Sequence, residues 1–371
     1  MKKTITLSLI AFSVFNVNAQ LPVSTSPGKK QAILEEFSGV HCHFCPQTEV
    51  TSEQILTDNP GKVFVVHLHQ SSNSSQPTGN DPDFRTAAGD TVYSIFGTTN
   101  TYLTAGLNRH DFFQGQTVLG RIFWTQSVAT ILSQDAYVNI AGQATLDPLT
   151  RELTVNIEAY YTANSPVATN KLTVMVLQDS INAYQDGASL NPAMVNPDGT
   201  YRHMHILRDV ITNSAKGDSI TTCTSGTLFT RTITYTVPAS YKNTTAELAN
   251  LRIVALVAET DKEIINVCNV PISISGPNAI QSQTENISQV NVYPNPANTT
   301  ATLRFNLPLA ESVSMIMRNE LGQQVRVKNL GRFNKGEQSV VLDVAGLNNG
   351  VYFLHIVAGP NTLTKKVVLN N

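Results

Sequence analysis

The chain is short of net charge, of cysteine and of long apolar runs. Lysine plus arginine number 25 against 27 acidic residues, a formal net charge of −2, so no basic surface invites nucleic acid or anionic lipid. Beyond the first twenty or so residues no stretch is long and apolar enough for a transmembrane helix, which needs about 20 apolar residues. Only four cysteines occur, Cys42, Cys45, Cys223 and Cys268. None lies just behind the N-terminal cleavage site, which argues against a lipid anchor there. Apolar residues still make up 41% of the 371 positions, enough to build real cores. The length suggests two or three domains.

What is present begins with an export signal. Met1-Lys2-Lys3 supplies positive charge, Ile5 to Phe15 an interrupted apolar stretch, and Val17-Asn18-Ala19 a small-residue cleavage pattern. The expectation is a signal peptide over 1–19, cut after Ala19. In an oxidising compartment an even cysteine count reads as two disulfides. Three pairings are open. The close spacing of Cys42 and Cys45 favours joining those two, which leaves Cys223 with Cys268.

Residues 28–135 alternate strand and helix signals. Ala32–Phe37 and Lys62–His69 read as strands, Pro46–Asp58 and Asp83–Phe96 as helices. Tyr102–Arg109 and Phe112–Gln114 read as two short strands and Thr117–Gln134 as a closing helix. Pro46 suits a first helical turn, where its missing N–H costs nothing. From 136 to 275 only strands are expected, such as Leu153-Val155-Ile157-Ala159 alternating with polar neighbours, which predicts an antiparallel sandwich. A polar linker over 276–288 precedes a third, all-β module over 289–371.

That last module carries Val292-Tyr293-Pro294-Asn295-Pro296, Leu321-Gly322-Gln323, Leu347 to Tyr352 and Lys365-Lys366-Val367-Val368 in order. The series resembles the C-terminal sorting domain of the type IX secretion system of Bacteroidetes. The resemblance implies that the secretion machinery is a partner. It also implies passage across the outer membrane, removal of the tail, and release or attachment at the cell surface.

Glu35 to Pro46 reads Glu-Glu-Phe-Ser-Gly-Val-His-Cys-His-Phe-Cys-Pro and lies at a strand-to-helix junction. It resembles a thioredoxin-like active site. Together with Arg202 to Asp209 it is also similar to the thioredoxin-like 28-kDa outer-membrane protein family of Bacteroidetes. The fold class expected is therefore α/β plus all-β: a thioredoxin-like domain, a β-sandwich and a small sandwich tail. A cysteine at a helix N-terminus has its thiolate stabilised by unsatisfied N–H groups. On that reading Cys42 attacks and Cys45 resolves, with His41 and His43 adding positive charge. Two departures from the thioredoxin pattern count against peptide oxidoreduction. His41 stands where thioredoxins carry Trp, and Thr101 to Gly106 contains no Pro where they carry a cis-Pro.

Six of the eight histidines form His-x-His pairs, His41/His43, His67/His69 and His203/His205. Period two places both members of a strand pair on one face. Cys42, Cys45, His43 and His69 are the candidate metal ligands, and zinc or copper the metals such donors suit. For His203/His205 the plainer reading is the polar face of an alternating strand. Two function classes stay open: a surface binding or adhesion module for an unidentified extracellular ligand, with structural disulfides, and an extracytoplasmic thiol-disulfide oxidoreductase using Cys42 and Cys45.

Overall fold

A computed structural model describes residues 23–70, 75–97, 103–274, 288–307, 310–319, 324–358 and 361–370. The expected signal peptide, Leu321-Gly322-Gln323 and all of the linker but its last residue lie outside the described residues.

Two strands found the architecture. Ala32–Ser38 and Val63–His69 run parallel, in register from Ala32 opposite Val63 to Ser38 opposite His69. Helix α1, Cys45–Asp58, connects them. Every residue of both strands is buried. Strands covered on both faces read as nearly continuous apolar runs, so the polar exceptions Glu35, Glu36, His67 and His69 are conspicuous. Glu35 is held by a two-pronged ion pair from Arg109, at 2.9 and 2.6 Å.

The sheet does not stop at the expected domain boundary. Its nine strands include, from one edge, Ile264–Val270, Leu251–Glu259, Asn170–Gln178, Ile206–Val210, Val63–His69, Ala32–Ser38, Thr104–Leu107 and Val118–Gly120. Asp218–Ile220 adds to Asn170–Gln178 off this path. The stretches 28–135 and 136–275 therefore share one sheet, joined where Ile206 pairs with His67. Alternation in the sequence marks strands but carries no record of which strand each will pair with.

Helix α2, Ala87–Ser94, covers one face through Val92, which joins Phe37, Phe64, Met175 and Leu256 in one core. The other face is divided. Helix α1 and helix α3, Trp124–Ser133, pack Ile55, Trp124, Val128 and Ile131 on Leu34 and Val65. A four-stranded sheet of Leu228–Thr236, Glu152–Tyr161, Val138–Leu146 and Ile272–Ile274 covers the rest, with Val155, Ile157, Val174 and Ile253 in its core.

Local chemistry moved three expected boundaries. The Asp111 carboxylate accepts from the backbone N–H groups of Phe113 and Gly115, turning 112–114 into a loop rather than a strand. The second short strand is instead Val118–Gly120, which shortens α3 at its start. Helix α2 begins only after Thr86, whose hydroxyl accepts from Gly89 N at 2.8 Å as an N-cap.

The tail packs a three-stranded sheet, Ser288–Tyr293, Thr300–Leu307 and Gly336–Asp343, against a four-stranded one, Gln324–Phe333, Glu311–Asn319, Gly350–Ala358 and Asn361–Leu369. Leu303, Phe305, Met315, Met317, Leu354 and Ile356 fill the space between. No helix among the described residues is long and apolar enough to cross a membrane.

Candidate functional site

Cys42 and Cys45 are joined in a disulfide. Helix α1 starts at Cys45, with Phe44 as its N-cap residue, so Cys42 lies in the turn ahead of the helix rather than at its first residue. The turn is held by Cys42 N donating to Gly39 O at 2.9 Å and Cys45 N to Cys42 O at 3.2 Å. Cys45 is fully buried and Cys42 is 7% exposed, so neither sulfur is presented on an open surface.

The cover comes from Gln185 to Gly187, far along the chain. Gln185 Nε2 lies 3.2 Å from both Gly39 O and Cys42 O. Asp186 N donates to Val40 O at 2.8 Å. Gly187 sits with φ +68° so close to the motif that a Cβ there would meet His43 O at 1.8 Å. The flanking histidines are occupied as well. His43 Nδ1 lies 3.1 Å from Asp186 Oδ1, and His41 Nε2 lies 3.1 Å from Asp81 Oδ2. Each of the two imidazoles thus faces a carboxylate.

Beneath α1 lies a buried cluster of acids and imidazoles. Period two puts Glu36 and His67 on the face that α1 covers, in register with each other. His67 Nε2 is 3.3 Å from Glu36 Oε2 and its Nδ1 is 4.0 Å from Glu49 Oε1. The Thr48 hydroxyl bridges the Cys45 carbonyl, at 2.8 Å, and the Glu36 carboxylate. Tyr201 donates its phenol proton to Glu49, and Asn191 Nδ2 donates to the Tyr201 oxygen at 3.1 Å. Burial pushes the Glu49 carboxyl up to about 7, against the pull of His67. For His67 burial pulls downward, but Glu36 and Glu49 outweigh it and hold the ring above the ordinary imidazole value.

The His203/His205 pair is not one polar strand face. The chain breaks at Met204, between Tyr201–His203, which pairs with Ile181–Ala183, and Ile206–Val210 in the large sheet. Both rings are buried. His205 adopts φ +57°, and its N donates to Asp179 Oδ1 at 2.7 Å while its O accepts from His67 N at 2.8 Å. Its ring lies between Glu53, at 3.0 Å, and Asp179, at 3.2 Å. Burial opposes the charge, but those carboxylates raise His205 to about 9. His203 has no acid beside it; burial lowers it to about 3, and its Nε2–H donates to Tyr184 O at 3.1 Å.

The four residues expected to hold a metal are not brought together. Both thiols are consumed by the disulfide, His43 turns outward to Asp186, and the His69 ring packs edge-on against Phe84, with burial holding its pKa well below the ordinary value. Among the described residues no group of three or more His, Cys, Asp or Glu side chains is arranged to hold a metal ion. The expected Cys223–Cys268 bridge is also corrected. Both are buried free thiols in the sandwich core. Cys223 Sγ is turned to Ile220 O at 3.0 Å, and Cys268 sits mid-strand opposite Ala255, its thiol pushed up to about 12 by burial.

Sequence reasoning missed Gln185, Gly187, Glu36, Glu49 and Tyr201. The acidic pair Glu35-Glu36 inside an apolar strand was a readable signal of a buried polar site; nothing local marked the others.

Residues 89–275 match the outer membrane protein Omp28 family, and residues 291–370 match the secretion system C-terminal sorting domain. The chain belongs to the Omp28 outer membrane protein family and carries a type IX secretion sorting tail, which makes it a secreted or outer-membrane-surface protein. The match includes the Arg202–Asp209 segment but begins after the two bonded cysteines. Its fold is similar to that of HBP35 of Porphyromonas gingivalis, at TM-score 0.52 and 18% identity, over 92% of this chain and 99% of that one. A domain of the outer membrane lipoprotein Omp28 from Porphyromonas gingivalis is also similar, at 18% identity over 38% of this chain and 92% of that one, with TM-score 0.26. No curated protein matches the chain.

Proposed function

We propose that the body of this protein is a surface binding module on a degenerate thioredoxin-like core, and that the Cys42–Cys45 disulfide is structural. The thioredoxin-like reading is supported by the order of one half of the large sheet. Val63–His69, Ala32–Ser38, Thr104–Leu107 and Val118–Gly120 lie side by side, the first pair parallel and the other two pairings antiparallel. Helix α1 links the parallel pair and α3 follows the last strand. The structural role rests on one observation: Gln185 and Gly187 close over the turn that holds the disulfide. A thiol-disulfide oxidoreductase needs a nucleophile that a partner disulfide can reach, and a sulfur buried under another part of the chain is poorly placed for that.

The test is the reduction potential of the Cys42–Cys45 bond in the purified full chain, equilibrated against dithiothreitol and glutathione buffers. A structural bond lies below about −300 mV. A value above about −230 mV, in the range of glutaredoxins, would reverse the assignment in favour of redox chemistry. The extracellular ligand of the module is sought separately, because the disulfide does not select it.

A further inference from the structure

The four-stranded sheet ends on an open strand of nine residues, Leu228–Thr236. It pairs with Glu152–Tyr161 along its whole length, from Leu228 opposite Tyr160 to Thr236 opposite Glu152, without a bulge. Among the described residues no strand pairs with its other side. In an antiparallel ladder, successive residues turn their N–H and C=O groups alternately toward the neighbour and away from it. The phase is set at both ends, where Tyr161 N donates to Thr227 O and Val237 N to Arg151 O, each at 2.9 Å. Residues 229, 231, 233 and 235 therefore bond to Glu152–Tyr161. Leu228, Thr230, Thr232, Thr234 and Thr236 direct their backbone groups outward, and all five are exposed. Natural proteins defend such an edge with lysine, proline, a bulge or a very short strand, because unpaired backbone groups invite another chain. This strand has none of these devices. Its one charged residue, Arg231, shares the inner face with Ile233, and Arg231 Nη2 lies 3.3 Å from Asp218 Oδ2.

The strand also matches its own reverse. An antiparallel copy centred on Thr232 sets Thr232 opposite its counterpart, Thr230 opposite Thr234 and Leu228 opposite Thr236. These are the residues whose backbone groups point outward, so each becomes a hydrogen-bonded pair. Between them Phe229 meets Tyr235 and Arg231 meets Ile233. Threonine pairs and aromatic pairs are favourable across strands, and no like charges stand opposite each other. Sliding the centre to Arg231 would set the two arginines face to face. The twofold match is a property of the chain paired with itself, and it singles out a second copy over a foreign strand.

We infer that this edge is a dimer interface, in which the Leu228–Thr236 strands of two copies pair antiparallel about a twofold axis at Thr232 and join their four-stranded sheets into one continuous sheet. Such a contact uses the same surface on both partners, so association stops at two. The interface is separate from the disulfide, and neither assignment requires the other.

The test is sedimentation velocity of the full chain between about 1 and 100 μM, with variants of the central strand. The parent should pass from monomer to dimer over this range. Thr232→Pro removes an outward N–H from each copy and no backbone bond to Glu152–Tyr161, and should weaken the dimer at least about tenfold, the scale of two lost hydrogen bonds. It also removes the bond from the Thr232 hydroxyl to Asn156 Oδ1, at 2.7 Å. Thr232→Val loses that same bond but keeps the N–H, and should dimerise as the parent does. The register is read by oxidative cross-linking. Thr232→Cys should link to itself, because directly opposite residues lie within disulfide reach. Thr230→Cys alone should not, but should link when mixed with Thr234→Cys. If Thr232→Pro does not fold, the cysteine series decides. A parent that stays monomeric overturns the proposal, and uptake of a synthetic 228–236 peptide by that monomer would assign the edge to a foreign strand instead. A dimer undiminished in folded Thr232→Pro, or Thr230→Cys linking to itself as readily as Thr232→Cys, overturns it as well.

Discussion

Gln185 Nε2 reaches the carbonyl of Cys42 at 3.2 Å, from 143 residues further along the chain. The disulfide turn is thus fixed by a segment that no local signal connects to it. Gly187, two residues on, sits hard against the backbone of His43.

Gly187→Ala should break this closure. The φ of +68° and a Cβ placed 1.8 Å from His43 O together demand that one segment move. The expected cost is roughly 2 kcal/mol or more, with faster reduction of the disulfide by dithiothreitol. Urea unfolding and timed thiol trapping measure both. Reduction at the parent rate would mean that Gly187 does not guard the bond.

The stability of the chain should pass through a maximum near pH 6. His205 is raised to about 9 in the folded state, against an ordinary value of about 6.5. Its ion pairs with Glu53 and Asp179 therefore stabilise fully below about pH 6.5 and are lost as pH climbs through about 9. Glu49, raised to about 7, acts in the same direction at lower pH, since the native state holds its proton more tightly. His203, lowered to about 3, and His69 act oppositely, because acid must charge them in a buried place. His205→Asn should flatten the alkaline limb, worth on the order of 1–3 kcal/mol. Urea midpoints from pH 4 to 9.5 check this, and a parent profile that is level above pH 6.5 would remove His205 from the account.

Denatured, non-reduced protein should titrate two thiols per chain, those of Cys223 and Cys268. In the native state Cys268 should resist iodoacetamide, because its thiol is pushed up to about 12 and the thiolate is the reactive form. Peptide mapping locates the label. Finding no free thiol would restore the bridge that export alone suggests.

Protein recovered from the medium or the cell surface should begin at Gln20 and end before Val290. The tail is a self-contained sandwich behind a polar segment, the kind of place where proteases cut. Intact mass decides the point. A mature species that keeps Lys365-Lys366 contradicts removal of the sorting tail.

The chain's own order of residues determined its sorting tail and the type of most elements. Tyr293-Pro294-Asn295-Pro296 and Lys365-Lys366 are contiguous signals, and the strand at Ala32–Ser38 and helix at Cys45–Asp58 follow from local apolar spacing and from a proline where a first turn tolerates it. Local spacing cannot say which distant segment supplies the other side of a strand. Only the tertiary structure decided that Ile206 pairs with His67, merging two expected domains into one sheet. The same pairing decided that Glu36, Glu49, His67, Tyr201 and His205 share one buried space. Desolvation then gave each its protonation preference, a quantity set by neighbours and burial rather than by residue type. The two free thiols make the same point: an even cysteine count permits a bridge, but only positions in space can bring two sulfurs together.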